Sequence, residues 1–187
     1  MQSSALIAVC MTLLAGCTPA DKEGRKLNAE DDLIVFVGER LSVTPQPSEP
    51  DSMDEKFEAR YRVLKIVFGR YNDSEISFTV YDHYGSPRFA KYDTALMFVS
   101  RYEGKLYHEK YQFFPVYPTQ DGRWASCGDL YRNEPPDHQG SLRPVPIEFA
   151  TPVSDEQTQQ PCIEGNYVED LFAVKKNGVL KARGWFD

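Results

Sequence analysis

The chain has 187 residues, 41% of them hydrophobic, and a formal net charge of -7. That length suits one ordinary domain able to bury a core without help from a metal, and the negative charge repels a phosphate backbone, which sets nucleic acid aside as a partner. Aromatic residues make up 13% of the chain, a richness that points to pleated sheet, where such side chains fit a half-buried surface.

The first element is the apolar run "ALIAVCMTLLAG" at residues 5–16. Its twelve residues fall short of the ~20 that span a bilayer and match the apolar core of a signal peptide. Leu14-Ala15-Gly16-Cys17 then resembles the lipobox of bacterial lipoproteins, in which a leucine and two small residues precede a cysteine. The resemblance implies a signal peptide over 1–16 and a lipid on Cys17, and so membrane attachment through the anchor; the alternative is a core helix with a buried cysteine. Thr18, where an aspartate would retain a lipoprotein at the inner membrane, implies the outer membrane and a periplasm-facing domain, the inner membrane being the other possibility. Residues 17–31 are polar and unpatterned and read as a flexible tether. A single β-rich domain is expected over 32–187.

With Cys10 in the signal peptide and Cys17 lipidated, Cys127 and Cys162 remain in an oxidising compartment, and one structural disulfide between them is expected. It closes a loop of about 35 residues, worth roughly 3–4 kcal/mol in the chain-entropy model. Neither CxxC spacing nor clustered histidine is present, so no zinc site and no other metal or cofactor is expected.

The body of the chain begins with "DDLIVFVGERLSV" at 31–43, continuous apolar and then alternating, a strand buried on both faces at its start. "FEARYRVLKIVFG" at 57–69 alternates as an antiparallel strand with one wet face does, and "EISFTVYD" puts Ile76, Phe78 and Val80 in step. "ALMFVSRYEGKLYHEKYQFF" predicts a hairpin turning at Glu103-Gly104, with strands at 95–102 and 105–113. Five such strands, read in meander order, are compatible with a five-stranded antiparallel barrel. The run "IVFVGERLSV … YRVLKIVFG … ISFTVYD … ALMFVSRYEGKLY" resembles the OB-type barrel of netrin and metalloproteinase-inhibitor domains. The resemblance implies architecture only, because Cys17 is unsuited to serve as a zinc-chelating N-terminus.

The remainder forms a C-terminal extension. A short strand or turn is expected to end at Cys127 and another strand to run over 145–150. Val168, Leu171 and Phe172 lie at i, i+3 and i+4, followed by two lysines and Gly178, the pattern of a short helix. "VLKARGWF" alternates and is expected as a basic edge strand closing the sheet.

No catalytic residue emerges. His83, His108 and His138 have no ligand or catalytic spacing and read as surface or capping residues, and no nucleophile elbow or phosphate loop exists. The 28 acidic residues make chance carboxylate pairs certain, so pairs such as Glu169-Asp170 read as solvated surface. Tyrosines gather along the hairpin, and Tyr102, Tyr107, Tyr111 and Tyr117 are the candidate partner-binding residues, since tyrosine joins a rigid apolar body to a polar tip. The expected function is therefore non-enzymatic: an envelope lipoprotein that binds a periplasmic or envelope protein, as an inhibitor or immunity protein against a cell-wall hydrolase does. A structural accessory touching peptidoglycan is the second reading, and a glycosidase the third.

Overall fold

A computed structural model describes residues 28–48, 52–130 and 142–187. The signal peptide, Cys17, most of the tether and His138 lie outside the described residues. The chain is mainly β. A four-residue helical turn, α1 (Ala29–Asp32), leads into β1 (Leu33–Gln46), β2 (Glu55–Phe68) and β3 (Glu75–Asp82). A 3-10 turn (Arg88–Lys91) precedes β4 (Thr94–Tyr102) and β5 (Lys105–Pro115). Short strands β6 (Tyr117–Pro118), β7 (Trp124–Ala125), β8 (Val145–Pro146) and β9 (Glu164–Gly165) follow, and then α2 (Val168–Lys175).

The five long strands form one sheet in the order β1-β2-β3-β5-β4, and β4 pairs back onto β1, so the ring of pairings closes. The expected meander is thus corrected. β1 lies between β2 and β4, and the hairpin partner β5 falls beside β3. The sheet is not wholly antiparallel either, because β3 meets β5 in parallel at Thr79 and Tyr107. The connection through the 3-10 turn is the cause, since it carries the chain across to β1 before the hairpin begins. The hairpin turns as expected at Glu103 (φ 49°) and Gly104 (φ 76°), the two left-handed positions that match strand twist in a two-residue turn.

Two apolar cores sandwich β1 and β4. Inside the ring, Phe36, Tyr61, Phe78 and Phe89 pack edge-on or stacked, with centroids 5.8–6.4 Å apart. Burial there pushes the Tyr61 phenol well above its ordinary range, and its hydroxyl has no hydrogen-bond partner among the described residues. Outside, Leu33, Val35, Val37, Leu96 and Phe98 are covered by Val168, Leu171, Leu180 and Trp185. Burial on both faces explains why "LIVFV" and "ALMFV" are unbroken apolar runs.

Three expectations at the ends change. "VLKARGWF" is not an edge strand: after α2 the chain kinks at Gly178 (φ -108°, ψ -110°), runs helically again as far as Ala182 and then turns. A closed ring leaves no edge for a sixth strand, whereas the outer face of β1 and β4 needs the cover that Leu180 and Trp185 supply. The strand at 145–150 shortens to β8, because the chain leaves β9 and its next residues turn to the 118–120 segment, where the Gln120 amide donates to the Glu148 carbonyl (2.8 Å) and the Ala150 amide to the Pro118 carbonyl (2.9 Å). Residues 28–31, expected in the tether, are structured. Asn28 caps α1 by accepting from the Glu30 amide, and Arg70 lies 2.7 Å from Asp31.

Cys127 and Cys162 stand at disulfide distance, their Cα atoms 5.8 Å apart. Around them the Gly128 amide donates to the Glu164 carbonyl (2.8 Å) and the Ser126 amide to that of Asn166 (2.8 Å), so the pair clamps two segments that already hydrogen-bond.

Candidate functional site

The hairpin strand β5 carries a large irregularity. Met97 faces Phe113 and Val99 faces His108, so two steps along β4 correspond to five along β5. The excess bulges out at residues 109–112, with Tyr111 in the left-handed region at φ 66°. For a residue with a side chain this conformation costs about 1–2 kcal/mol, and such bulges re-aim side chains beside binding sites. His108 holds the bulge. Its Nε2 lies 3.0 Å from the Gln112 carbonyl oxygen, and since a carbonyl only accepts, Nε2 carries the proton.

Opposite the bulge stands the loop after β3. The Asp82 Oδ1 accepts from the Tyr84 amide at 2.9 Å, fixing the start of the turn, and Pro87 leads into the 3-10 turn that buries Phe89. Between bulge and loop lies a cleft of about 350 Å³ lined by Asp82, Tyr84, Arg88, Phe89, His108, Tyr111 and Phe113. Tyr84 is 83% exposed and its ring approaches that of Tyr111 at 6.1 Å. The connection between β1 and β2 reaches the same place. The Lys110 ammonium bonds both Asp54 oxygens (2.8 and 2.7 Å), and His83 Nδ1 lies 3.0 Å from the Met53 carbonyl oxygen.

The structure sorts the four expected tyrosines. Tyr107 stacks on Tyr81 (6.4 Å) and Tyr111 approaches Tyr84, so each of these β5 tyrosines meets a ring from β3 or the loop after it. Tyr102 sits at the hairpin end, 59% exposed. Tyr117 on β6 packs edge-on against Phe149 and lines a second cavity of about 300 Å³ with Tyr92, Asp155 and Glu156, which shares Arg88 and Phe113 with the cleft. A third, more polar depression of about 520 Å³ lies over β2 and β3, with Lys56, Glu58, Asp73 and Arg101 in its lining. Sequence reasoning missed Asp82, Tyr84, Arg88 and Phe89. The signal was the aromatic-rich turn "YDHYGSP", but it gains meaning only when the bulge faces it.

The surface or capping role expected of the histidines holds for His83 and is corrected for His108. The His108 residue is half-buried, yet its ring lies between Phe78 (6.2 Å) and Phe89 (4.8 Å). Desolvation there pulls its pKa down to about 4. The folded state therefore holds the ring neutral where the unfolded chain protonates it near 6.5. Above pH 6.5 this contributes nothing; as pH falls from 6.5 towards 4, stability drops by about 2–3 kcal/mol, and below 4 this loss levels off. Urea unfolding of wild type and His108→Phe across that range should show the slope in wild type only. Equal slopes would refute a neutral His108.

Chemically the cleft is a box of aromatic rings with one carboxylate, one guanidinium and a neutral imidazole. A two-carboxylate hydrolysis needs a second acid ~5–10 Å from the first, and the lining supplies Asp82 alone. Among the described residues, no group of three or more His, Cys, Asp or Glu side chains is placed to hold a metal ion. Comparison of the chain with protein-family models, curated proteins and solved structures finds no match.

Proposed function

We propose that this chain is an outer-membrane-anchored, periplasm-facing lipoprotein whose domain binds a protein partner at the Tyr84–Tyr111 cleft and acts by occupancy, in the manner of an inhibitor or immunity protein against a cell-wall hydrolase. The anchor rests on Leu14-Ala15-Gly16-Cys17. The binding role rests on one observation, a concave site walled by exposed tyrosines and an arginine, the residue types that dominate binding energy at protein interfaces. We further assign the domain to the OB type. The strand order β1-β2-β3-β5-β4, the parallel contact of β3 with β5 and a cleft reached by the β1–β2 connection support that assignment. The acidic chain suits a basic partner through electrostatic steering.

The test pairs location with occupancy. Cys17→Ser should move the protein from the membrane fraction to the soluble one. Wild type should retain one stoichiometric envelope protein that Tyr84→Ala loses, with Tyr102→Ala as the exposed control. Unchanged fractionation would defeat the anchor. Turnover of a muropeptide by the purified protein, abolished by one carboxylate change, would replace occupancy with catalysis.

A further inference from the structure

The cleft's chemistry is specific enough to name what enters it. Five of its seven lining side chains are aromatic: Tyr84, Phe89, His108, Tyr111 and Phe113 surround the opening. Ring faces are electron-rich and attract a cation that lies over them. The remaining wall carries Asp82, which is 6% exposed, and its partner among the described residues is the Tyr84 amide on Oδ1. A buried carboxylate wants a positively charged partner. Resting on the protein-partner reading, we propose that the cleft receives a single cationic side chain, lysine or arginine, of the bound protein, its charge against Asp82 and its stem between Tyr84 and Tyr111.

Four further observations agree. The domain already uses this chemistry beside the cleft, where the Lys110 ammonium lies 5.4 Å from the Tyr111 ring centre while pairing with Asp54. His108, the one imidazole among the rings, is neutral because desolvation lowers its pKa, so it adds no opposing charge. Arg88 is exposed at the rim and also faces the adjoining cavity, where its charge acts on Glu156. The volume of about 350 Å³ sits at the small end of ligand pockets, as one long side chain requires.

The test uses blocked amino acids as probes. Nα-acetyl-lysine methylamide and its arginine, norleucine and glutamate counterparts are titrated into the protein while the aromatic NMR signals of the cleft are followed. Saturable shifts are expected with lysine or arginine, and about threefold to tenfold weaker binding with norleucine, which keeps the stem and loses the charge. Tyr84→Ala, an exposed position that does not threaten the fold, should weaken the cationic probe by a similar factor. Asp82→Asn should do so too, because asparagine still accepts the Tyr84 amide. Norleucine binding as well as lysine would overturn the proposal, as would glutamate binding that Arg88→Ala abolishes, or no saturable shift with either cation. If the cations fail while Tyr84→Ala still releases the captured partner, the cation proposal falls and the partner reading stands.

Discussion

Replacing both Cys127 and Cys162 with alanine lowers the free energy of unfolding by about 3–4 kcal/mol, because the bridge closes a loop of 35 residues whose freedom the unfolded chain then regains. For a chain of this size the midpoint of thermal unfolding falls by roughly 10 °C. The hydrogen bonds beside the bridge, from Gly128 to Glu164 and from Ser126 to Asn166, persist in the variant, so the loss is felt mainly in the unfolded state. Urea unfolding of wild type with and without reductant measures it, and an unchanged midpoint on reduction would refute the contribution.

Gly69→Ala is the second large effect. Gly69 closes β2 at φ 81°, and a Cβ there would stand 2.0 Å from the Leu33 carbonyl oxygen and 3.3 Å from the Ile34 Cα. Neither neighbour is a side chain that can swing away. Leu33 is fully buried at the start of β1, so relief requires that strand to move. The left-handed backbone costs about 1–2 kcal/mol and the forced displacement about 1–3 more, for a total of about 2–5 kcal/mol. Gly104→Ala supplies the control, because Gly104 has a similar φ of 76° with nothing within 4 Å of the added carbon. It should lose only the backbone part. Equal losses at the two sites, read as urea midpoints, would show that the Leu33 contact carries no weight.

Local pattern made much of the domain readable. "LIVFV" and "ALMFV" announced strands covered on both faces, and "YEGK" announced a tight hairpin, since each depends on near neighbours only. The glycine of "VFVGER" has a cause that is only partly local: a Cβ on Gly38 would meet the Phe36 ring at 2.6 Å and the Tyr61 ring, from β2, at 2.9 Å. The identity of the cover was not readable. Leu171 and Leu180 are apolar residues in a weakly amphipathic tail, and nothing near them says that they lie on β1. The alternation of "VLKARGWF" favoured a strand until the closed ring removed any edge for it to join.

The candidate site shows the same division. Its tyrosines were visible as composition, but "KLYHEKYQFF" reads as uninterrupted strand, with no glycine or proline to mark the bulge. Tyr111 adopts φ 66° because His108 and Gln112 bind across the excursion and Phe89 packs beneath, contacts made by the fold around it. Asp82 and Tyr84 meet Tyr111 because β3 lies parallel to β5, a pairing between distant segments.

Residue order alone therefore marked the β-rich class, the hairpin, the two cysteines and the lipobox-like "LLAGC", all features set by spacing along the chain. Strand order, the helical cover and the cleft arose only in three dimensions. They depend on which apolar face finds which partner, and that is settled by burying all of them at once.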